Sequence, residues 1–91
     1  MYTKIKNLID ANPLRVVGLK QVLKGIEDGT VWCVIVSSDS DEFIRSHIEE
    51  SIGTKNVRIE CIDSKEKLGA LAGIDVPAAA VGLMVKSQKT I

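Results

Sequence analysis

Residues 16–24 read VVGLKQVLK, and this stretch decides how the rest of the chain is interpreted. Two β-branched residues run into Gly18, which is the pattern of a strand followed by a tight turn. The apolar residues beyond the glycine have the i, i+3, i+4, i+7 spacing of one helix face and are Leu19, Val22, Leu23 and Ile26. The stretch therefore predicts a strand, a turn and the start of a helix, with Gly18 as the helix N-cap.

The first turn of this helix carries charges that do not favour the helix itself. Lys20, Gln21 and Lys24 lie on its polar side, and no carboxylate occurs from Arg15 to Lys24. The first N–H groups of a helix lack partners and its dipole is positive there, so each cation costs about 0.3–1 kcal/mol at that position. Such a conflict points to function, here an anion site. The alternative is a solvated basic face without a role.

Composition limits the possible functions. The 91 residues suffice for one domain, and twelve lysines and arginines balance twelve acids, so any nucleic-acid site must be local. Cys33 and Cys61 stand far apart within apolar runs, which predicts small buried side chains in a reducing compartment. Because we recognise neither a signal peptide nor an apolar run of membrane length, we expect a cytoplasmic protein without a membrane partner.

Strand and helix patterns alternate outside the central stretch. A short N-terminal helix is predicted over residues 3–12, and a frayed tail is predicted from residue 86. The unbroken apolar run 31–36 predicts a central strand that is covered on both faces. The alternating run 57–61 predicts a half-exposed strand nearer an edge.

Capping residues predict two further helices. The serines and acids of residues 37–42 can open a third helix that ends near Gly53, with an inward face formed by Phe43, Ile44, Ile48 and Ile52. Residues 63–66 resemble a capping box that opens a short helix ending at Gly73, and a last strand follows over 79–85. This alternation predicts a single α/β domain over 1–91, a three-layer α/β/α sandwich with a mixed sheet of about four strands.

Catalytic signatures are nearly absent from the sequence. There is no G-x-G-x-x-G, no Walker-type loop and no G-x-S-x-G elbow. His47 has no nucleophile nearby in sequence and is interpreted as a helix-surface or boundary residue. Asp39 and Asp41 could hold magnesium for phosphoryl transfer, but helix capping explains them better. We therefore predict no catalytic residue, no metal site and no cofactor.

Several segments in a fixed order resemble one family. They are GLKQVLK at 18–24, DSD at 39–41, SKEKLG at 64–69 and GIDVPAAA at 73–80. Together they resemble the kink-turn-binding ribosomal protein family of the L7Ae and L30e type, and especially its small bacterial members, over residues 15–85. The resemblance implies an α/β/α sandwich that is not an enzyme and that binds structured RNA at one end.

The resemblance implies two separate RNA-binding elements. In the family, the equivalent helix start enters a sharply bent RNA and reads tandem G·A pairs. Lysine can donate to guanine and glutamine can pair with adenine once a kink has widened the groove. The second element is an apolar loop that packs on nucleotides at the bend. The implied RNA-binding residues are Arg15, Gly18, Leu19, Lys20, Gln21, Lys24, Asp39, Lys67, Ile74, Asp75, Val76, Pro77 and Ala78.

The implied partner is a kink-turn RNA, either a ribosomal or a messenger RNA. We expect a monomer to bind it, and we expect association with the ribosome if the RNA is ribosomal. Because phosphate contacts dominate RNA affinity, a chain without net charge should bind less tightly than a basic relative. The competing interpretation is a protein-interaction or scaffold module on the same fold, with weak or lost RNA binding. An exposed Trp32 would favour that interpretation. Residues 76–80 alone also fit an ordinary strand entry with small side chains.

Overall fold

A computed structural model describes residues 2–85 of the chain. Helices and strands alternate along this part of the chain, as the sequence predicts. The predicted frayed tail from residue 86 lies outside the described residues. The elements are α1 (Tyr2–Ala11), β1 (Arg15–Val17), α2 (Leu19–Glu27), β2 (Val31–Ser37), α3 (Glu42–Ile52), β3 (Arg58–Ile62), α4 (Lys65–Leu71) and β4 (Ala80–Met84).

The sheet is mixed and has the strand order β1-β4-β2-β3. Strand β4 runs antiparallel to both β1 and β2, whereas β2 and β3 are parallel. The apolar strand β2 is therefore interior and β3 lies at an edge, as predicted. Three strands end where β4 begins, and we call this side of the sheet the upper edge, defined by Val17, Ser37, Ile62 and Ala80.

Helices cover both faces of the sheet. Helices α1 and α4 pack on one face around Ile9, Ile35 and Leu68, while α2 and α3 pack on the other around Val22 and Ile48. The α/β/α sandwich is therefore confirmed. Each of α2, α3 and α4 follows a strand that ends at the upper edge, so all three helices begin there. Within residues 2–85, no helix combines the length and the apolar character needed to cross a membrane.

The burial of two aromatic side chains, Phe43 and Trp32, bears on predictions made from the sequence. Phe43 was predicted to face inward, but it is 62% exposed. The inward stripe of α3 is already formed by Ile44, Ile48 and Ile52, and Phe43 lies one residue, about 100° around the helix, off that stripe. Trp32 is half-buried and packs against the core beneath α1 and α4.

The two cysteines have different environments. Cys33 is fully buried, as predicted, and burial raises the pKa of its thiol to about 11. Cys61 is only partly buried, because β3 is an edge strand, so its predicted burial is wrong. The guanidinium of Arg45 donates from Nη1 to Cys61 Sγ at 3.1 Å.

We expect a thiol reagent to modify Cys61 in the native protein and Cys33 only after unfolding, since thiolate and access are both needed. Mass spectrometry during labelling resolves the two sites. A Cys61→Ser variant serves as the control and should leave no fast-reacting thiol. Native labelling of Cys33 as fast as that of Cys61 would contradict its placement in the core.

Candidate functional site

The start of α2 has the geometry predicted for an open helix N-terminus. Gly18 is the N-cap, with φ 101° and ψ 151°, a conformation that residues with a side chain rarely adopt. Its N–H donates to the carbonyl of Ala80 at 2.9 Å, and its carbonyl accepts from the N–H of Val22 at 3.0 Å. No side chain caps this helix and no acid lies in its first turn. Its first N–H groups therefore remain directed towards solvent.

The polar face of α2 is exposed along its first turns. Lys20, Gln21 and Lys24 are all exposed, whereas Val22 and Ile26 are fully buried beneath them. Leu19 is half-buried and packs against the core between α2 and the sheet. The helix is therefore anchored by its apolar face, and two cations and an amide project from the upper edge.

The loop of residues 74–78, here called the 74–78 loop, folds back onto α4. Ile74 donates its N–H to the carbonyl of Gly69 at 3.0 Å, and Ala78 donates to that of Lys65 at 2.9 Å. A Cβ at Gly69 would overlap the carbonyl oxygen of Val76 and lie 3.2 Å from the Cα of Pro77. Gly69 thus permits the close packing of loop on helix, and this packing leaves the Val76 side chain 62% exposed.

A shallow groove is lined by residues of both the loop and α4, and we call it the loop groove. Its volume is about 240 Å³. Four of its six lining residues are apolar, and the other two carry exposed carboxylates. The lining residues are Glu66, Ala70, Ile74, Asp75, Val76 and Pro77.

The two predicted elements meet at the upper edge. The Gly18 N–H that opens α2 is bonded to Ala80, which follows the 74–78 loop by two residues. The neighbouring Ala79 accepts from the N–H of Ser37 at 3.0 Å, so the loop exit is also fixed to the interior strand. A cationic helix start and a largely apolar loop therefore lie side by side at the upper edge, joined through the start of β4.

Three of the predicted site residues make hydrogen bonds that hold parts of the fold together. Arg15 is half-buried and donates to the carbonyls of Ile9 at 3.3 Å, Asn12 at 3.1 Å and Ala72 at 3.5 Å. It thus joins the carbonyl ends of α1 and α4. Ala78 is only 3% exposed and anchors the loop through its backbone. The carboxylate of Asp39 accepts from the Lys65 N–H at 3.0 Å.

The acids after β2 cap helices, as the sequence analysis favoured. Asp41 is the N-cap of α3 and accepts from the Phe43 N–H at 3.1 Å, while Asp39 caps the start of α4 rather than α3.

Within residues 2–85, no group of three or more His, Cys, Asp or Glu side chains could hold a metal ion. His47 is half-buried, with its ring centroid 5.3 Å from that of Phe43.

Sequence reasoning did not single out Glu66, Gly69 and Ala70, which the structure places against the 74–78 loop. Glu66 and Ala70 are four residues apart and share one side of α4, but their role depends on the loop that folds back beside them. Lys67 was singled out from the sequence, and its ammonium lies 3.6 Å from the carboxylate of Asp63 on the exposed surface.

Comparisons with known proteins agree on fold and family. A model of the "Ribosomal protein L7Ae/L30e/S12e/Gadd45 family" matches residues 1–91. An RNA-binding protein of Caldanaerobacter subterraneus is 40% identical over 67 residues, which cover 74% of this chain and 82% of the relative. An RNA-binding protein of Halalkalibacterium halodurans is 35% identical over 82 residues, which cover 90% of this chain and 95% of the relative.

The fold is also similar to that of solved structures. The 15.5kD RNA binding protein of Giardia lamblia superposes with a TM-score of 0.84 at 24% identity, covering 93% of this chain and 74% of that one. A Bacillus halodurans protein of unknown function gives a TM-score of 0.77 at 20% identity, covering 92% and 84%. These two likenesses concern the fold alone, whereas the family model spans the whole sequence. The chain belongs to the ribosomal protein L7Ae/L30e/S12e/Gadd45 family.

Proposed function

We propose that this protein is a non-catalytic RNA-binding protein that recognises a kink-turn-like RNA with the start of α2 and the 74–78 loop. The observation that carries the proposal is the exposed, acid-free start of α2, held beside an exposed apolar loop at one edge of the sheet. Membership of the family and the description of two relatives as RNA-binding proteins support it.

The start of α2 can contact both the phosphates and the bases of an RNA. Its uncapped N–H groups and dipole favour a phosphate, and Lys24 adds a cation one turn further along. Lys20 can donate to guanine O6 and N7, while the amide of Gln21 can pair with adenine. An undistorted A-form major groove is too narrow to admit these side chains. A sharp bend that opens the groove satisfies this requirement, which favours kinked over straight RNA.

The 74–78 loop supplies an apolar contact. Exposed Val76 and Pro77 can cover the face of a base that has left the helical stack. In this proposal Ile74 and Asp75 complete the loop surface, and Lys67 approaches a neighbouring phosphate. Arg15, Asp39 and Ala78 position these contacts through the bonds they make within the protein.

A titration with two RNAs tests the proposal. One RNA contains a kink-turn with tandem G·A pairs, and the other has the same length but Watson–Crick pairs in their place. We expect the kink-turn RNA to bind at least about tenfold more tightly, because each good base contact contributes about 1–3 kcal/mol. Equal affinity for both would contradict kink-turn recognition. Binding of neither would favour the protein-interaction or scaffold module.

Cationic and apolar contacts should respond differently to salt. Because phosphate contacts act through counterion release, Lys24→Ala should reduce the slope of log affinity against log salt by about 0.7–0.9. Val76→Ser removes an uncharged contact, so it should lower affinity at every salt concentration without changing the slope. Lys55→Ala, which removes an exposed cation beyond the end of α3, is the control and should change neither quantity. If all three substitutions reduced the slope equally, the assignment of Lys24 to phosphate contact and of Val76 to apolar contact would be refuted.

A further inference from the structure

We propose that the outer side of β3 pairs with β3 of a second copy of this chain, in an antiparallel register with Ile59 on the two-fold axis. The pairing joins the two four-stranded sheets into one and gives a symmetric dimer. It uses a surface that the proposed RNA contacts do not need, so it stands independently of them. It departs from the monomer expected from the sequence.

Strand β3 has an outer side without a strand partner in the part of the chain that the structure describes. It is the last strand of the order β1-β4-β2-β3 and pairs there with β2. The N–H of Ser38 donates to the carbonyl of Ile62 at 2.8 Å, so the backbone of Ile62 faces β2. Because backbone groups alternate sides along a strand, those of Glu60 also face β2, whereas those of Ile59 and Cys61 point outward. Such outward groups are a template for another strand.

The charges of β3 complement one another in one register of this pairing. With Ile59 opposite its own copy, Arg58 of each strand lies opposite Glu60 of the other. Residues in such a position have Cα atoms about 4.5 Å apart, so their opposite charges attract. An axis at Arg58 or at Glu60 would place like charges opposite each other. An axis at Cys61 would place Glu60 opposite the apolar Ile62.

Both faces of β3 suit the register with Ile59 on the axis. On the face towards α1, Arg58 and Glu60 form an ion pair within the strand, and Lys4 Nζ lies 3.5 Å from the same carboxylate. On the other face, half-buried Ile59 packs against the core beneath α2 and α3, and in the dimer it meets its own copy. Exposed ion pairs add little affinity, so backbone bonds and the apolar contact stabilise the dimer while the charges select its register.

The same charges make the edge selective for its own copy. A charged edge strand opposes pairing with strands that lack the complementary pattern. Arg58 followed two residues later by Glu60 supplies that pattern only in antiparallel order. The other edge strand, β1, has three residues and therefore offers a shorter ladder. These features favour a second copy as the occupant of the β3 edge.

The dimer leaves both candidate RNA sites accessible. Helix α2 begins beside β1, which lies at the opposite side of the sheet from β3. Because the two copies of β3 run antiparallel, the upper edges of the two protomers point in opposite directions. The dimer therefore presents two separate sites, one at each end.

Sedimentation of charge-reversed variants tests the pairing. The wild-type protein should form a reversible dimer at high micromolar concentration, since a single strand pair is a small interface. Glu60→Arg or Arg58→Glu alone places like charges opposite each other at two positions, so each should weaken dimerisation about tenfold. An equimolar mixture of the two variants restores opposite charges at both positions. It should dimerise about as well as the wild-type protein.

A matched control and a folding check accompany these variants. Glu27→Arg makes the same charge change at the end of α2, away from β3, and should dimerise like the wild-type protein. Thermal unfolding shows whether each variant is folded. A wild-type protein that stays monomeric up to millimolar concentration would overturn the proposal. So would wild-type dimerisation of both variants, or a mixture of folded variants that does not dimerise.

A disulfide trap tests the register without changing charge. Opposite residues that exchange backbone bonds have Cα atoms about 5.5 Å apart, which suits a disulfide. In a Cys61→Ser background, Ile59→Cys should therefore form a cross-linked dimer under mild oxidation. The wild-type protein should cross-link far less, because Cys61 lies opposite Val57 and Cys33 is buried. Equal cross-linking of the wild-type protein, or none of the Ile59→Cys variant, would overturn the proposed register.

Discussion

Replacing Lys20 by glutamate is expected to weaken kink-turn RNA binding at least about tenfold, since the lost base contact contributes about 1–3 kcal/mol and the new carboxylate repels phosphate. The unfolding temperature should stay the same or rise slightly. Lys20 is exposed in the first turn of α2, where the helix dipole disfavours a cation and favours an anion by up to about 1 kcal/mol. Titration and thermal unfolding of the same preparation measure both effects.

The matched control is Lys55→Glu, which makes the same charge change between α3 and β3, away from the upper edge. It should weaken RNA binding far less than Lys20→Glu, because screened long-range repulsion is its main effect. If Lys20→Glu destabilises the fold and leaves RNA affinity unchanged, the basic start of α2 is structural. The scaffold interpretation would then be the better one.

The Gly69→Ala substitution should impair both stability and RNA binding. The added Cβ would overlap the Val76 carbonyl, so loop and helix must separate. Overpacking of this kind costs about 1–3 kcal/mol of the free energy of unfolding, although alanine favours a helix more than glycine does. Displacement of the loop also moves Val76 and Asp75, so affinity should fall more than the Val76→Ser substitution alone lowers it. Chemical denaturation and RNA titration measure the two losses.

Ile26→Ala controls for general destabilisation. Ile26 is fully buried on the opposite face of the sheet, and its truncation should cost about 2–5 kcal/mol of stability. The folded fraction of that variant should bind RNA with nearly wild-type affinity, since Ile26 lies two turns beyond the start of α2, on the buried face of the helix. Wild-type stability and affinity in Gly69→Ala would show that the loop accommodates the methyl group, and would remove the argument for a close-packed loop.

Strong periodicity explains what the sequence predicted well. The apolar spacing of α2 and the unbroken apolar run of β2 each specify one burial pattern, and both elements have it. Capping chemistry predicted that α3 opens within residues 37–42 and α4 within residues 63–66, and the observed N-caps, Asp41 and Ser64, lie in these ranges. These signals are local, so the pattern of each segment can be recognised from the sequence without knowledge of the fold.

Long-range pairing explains what the sequence did not reveal. Arg15 was grouped with the RNA-binding residues, and the sequence did not reveal its structural role: β1 places it beside the ends of α1 and α4, where backbone carbonyls accept its donors. Cys61 stands in an alternating run, and only the strand order shows that β3 is an edge strand. The loop groove also depends on how residues 74–78 return to α4, which no local pattern encodes.

Amide chemical shifts of the ¹⁵N-labelled protein, recorded as kink-turn RNA is added, test the central claim most directly. If RNA binds the start of α2 and the 74–78 loop together, the largest changes should fall at Lys20, Gln21, Asp75 and Val76. Lys55 and Asn56, which lie before β3 and away from the upper edge, should change little. Changes concentrated at residues 54–56, or confined to only one of the two elements, would contradict a joint RNA-binding platform.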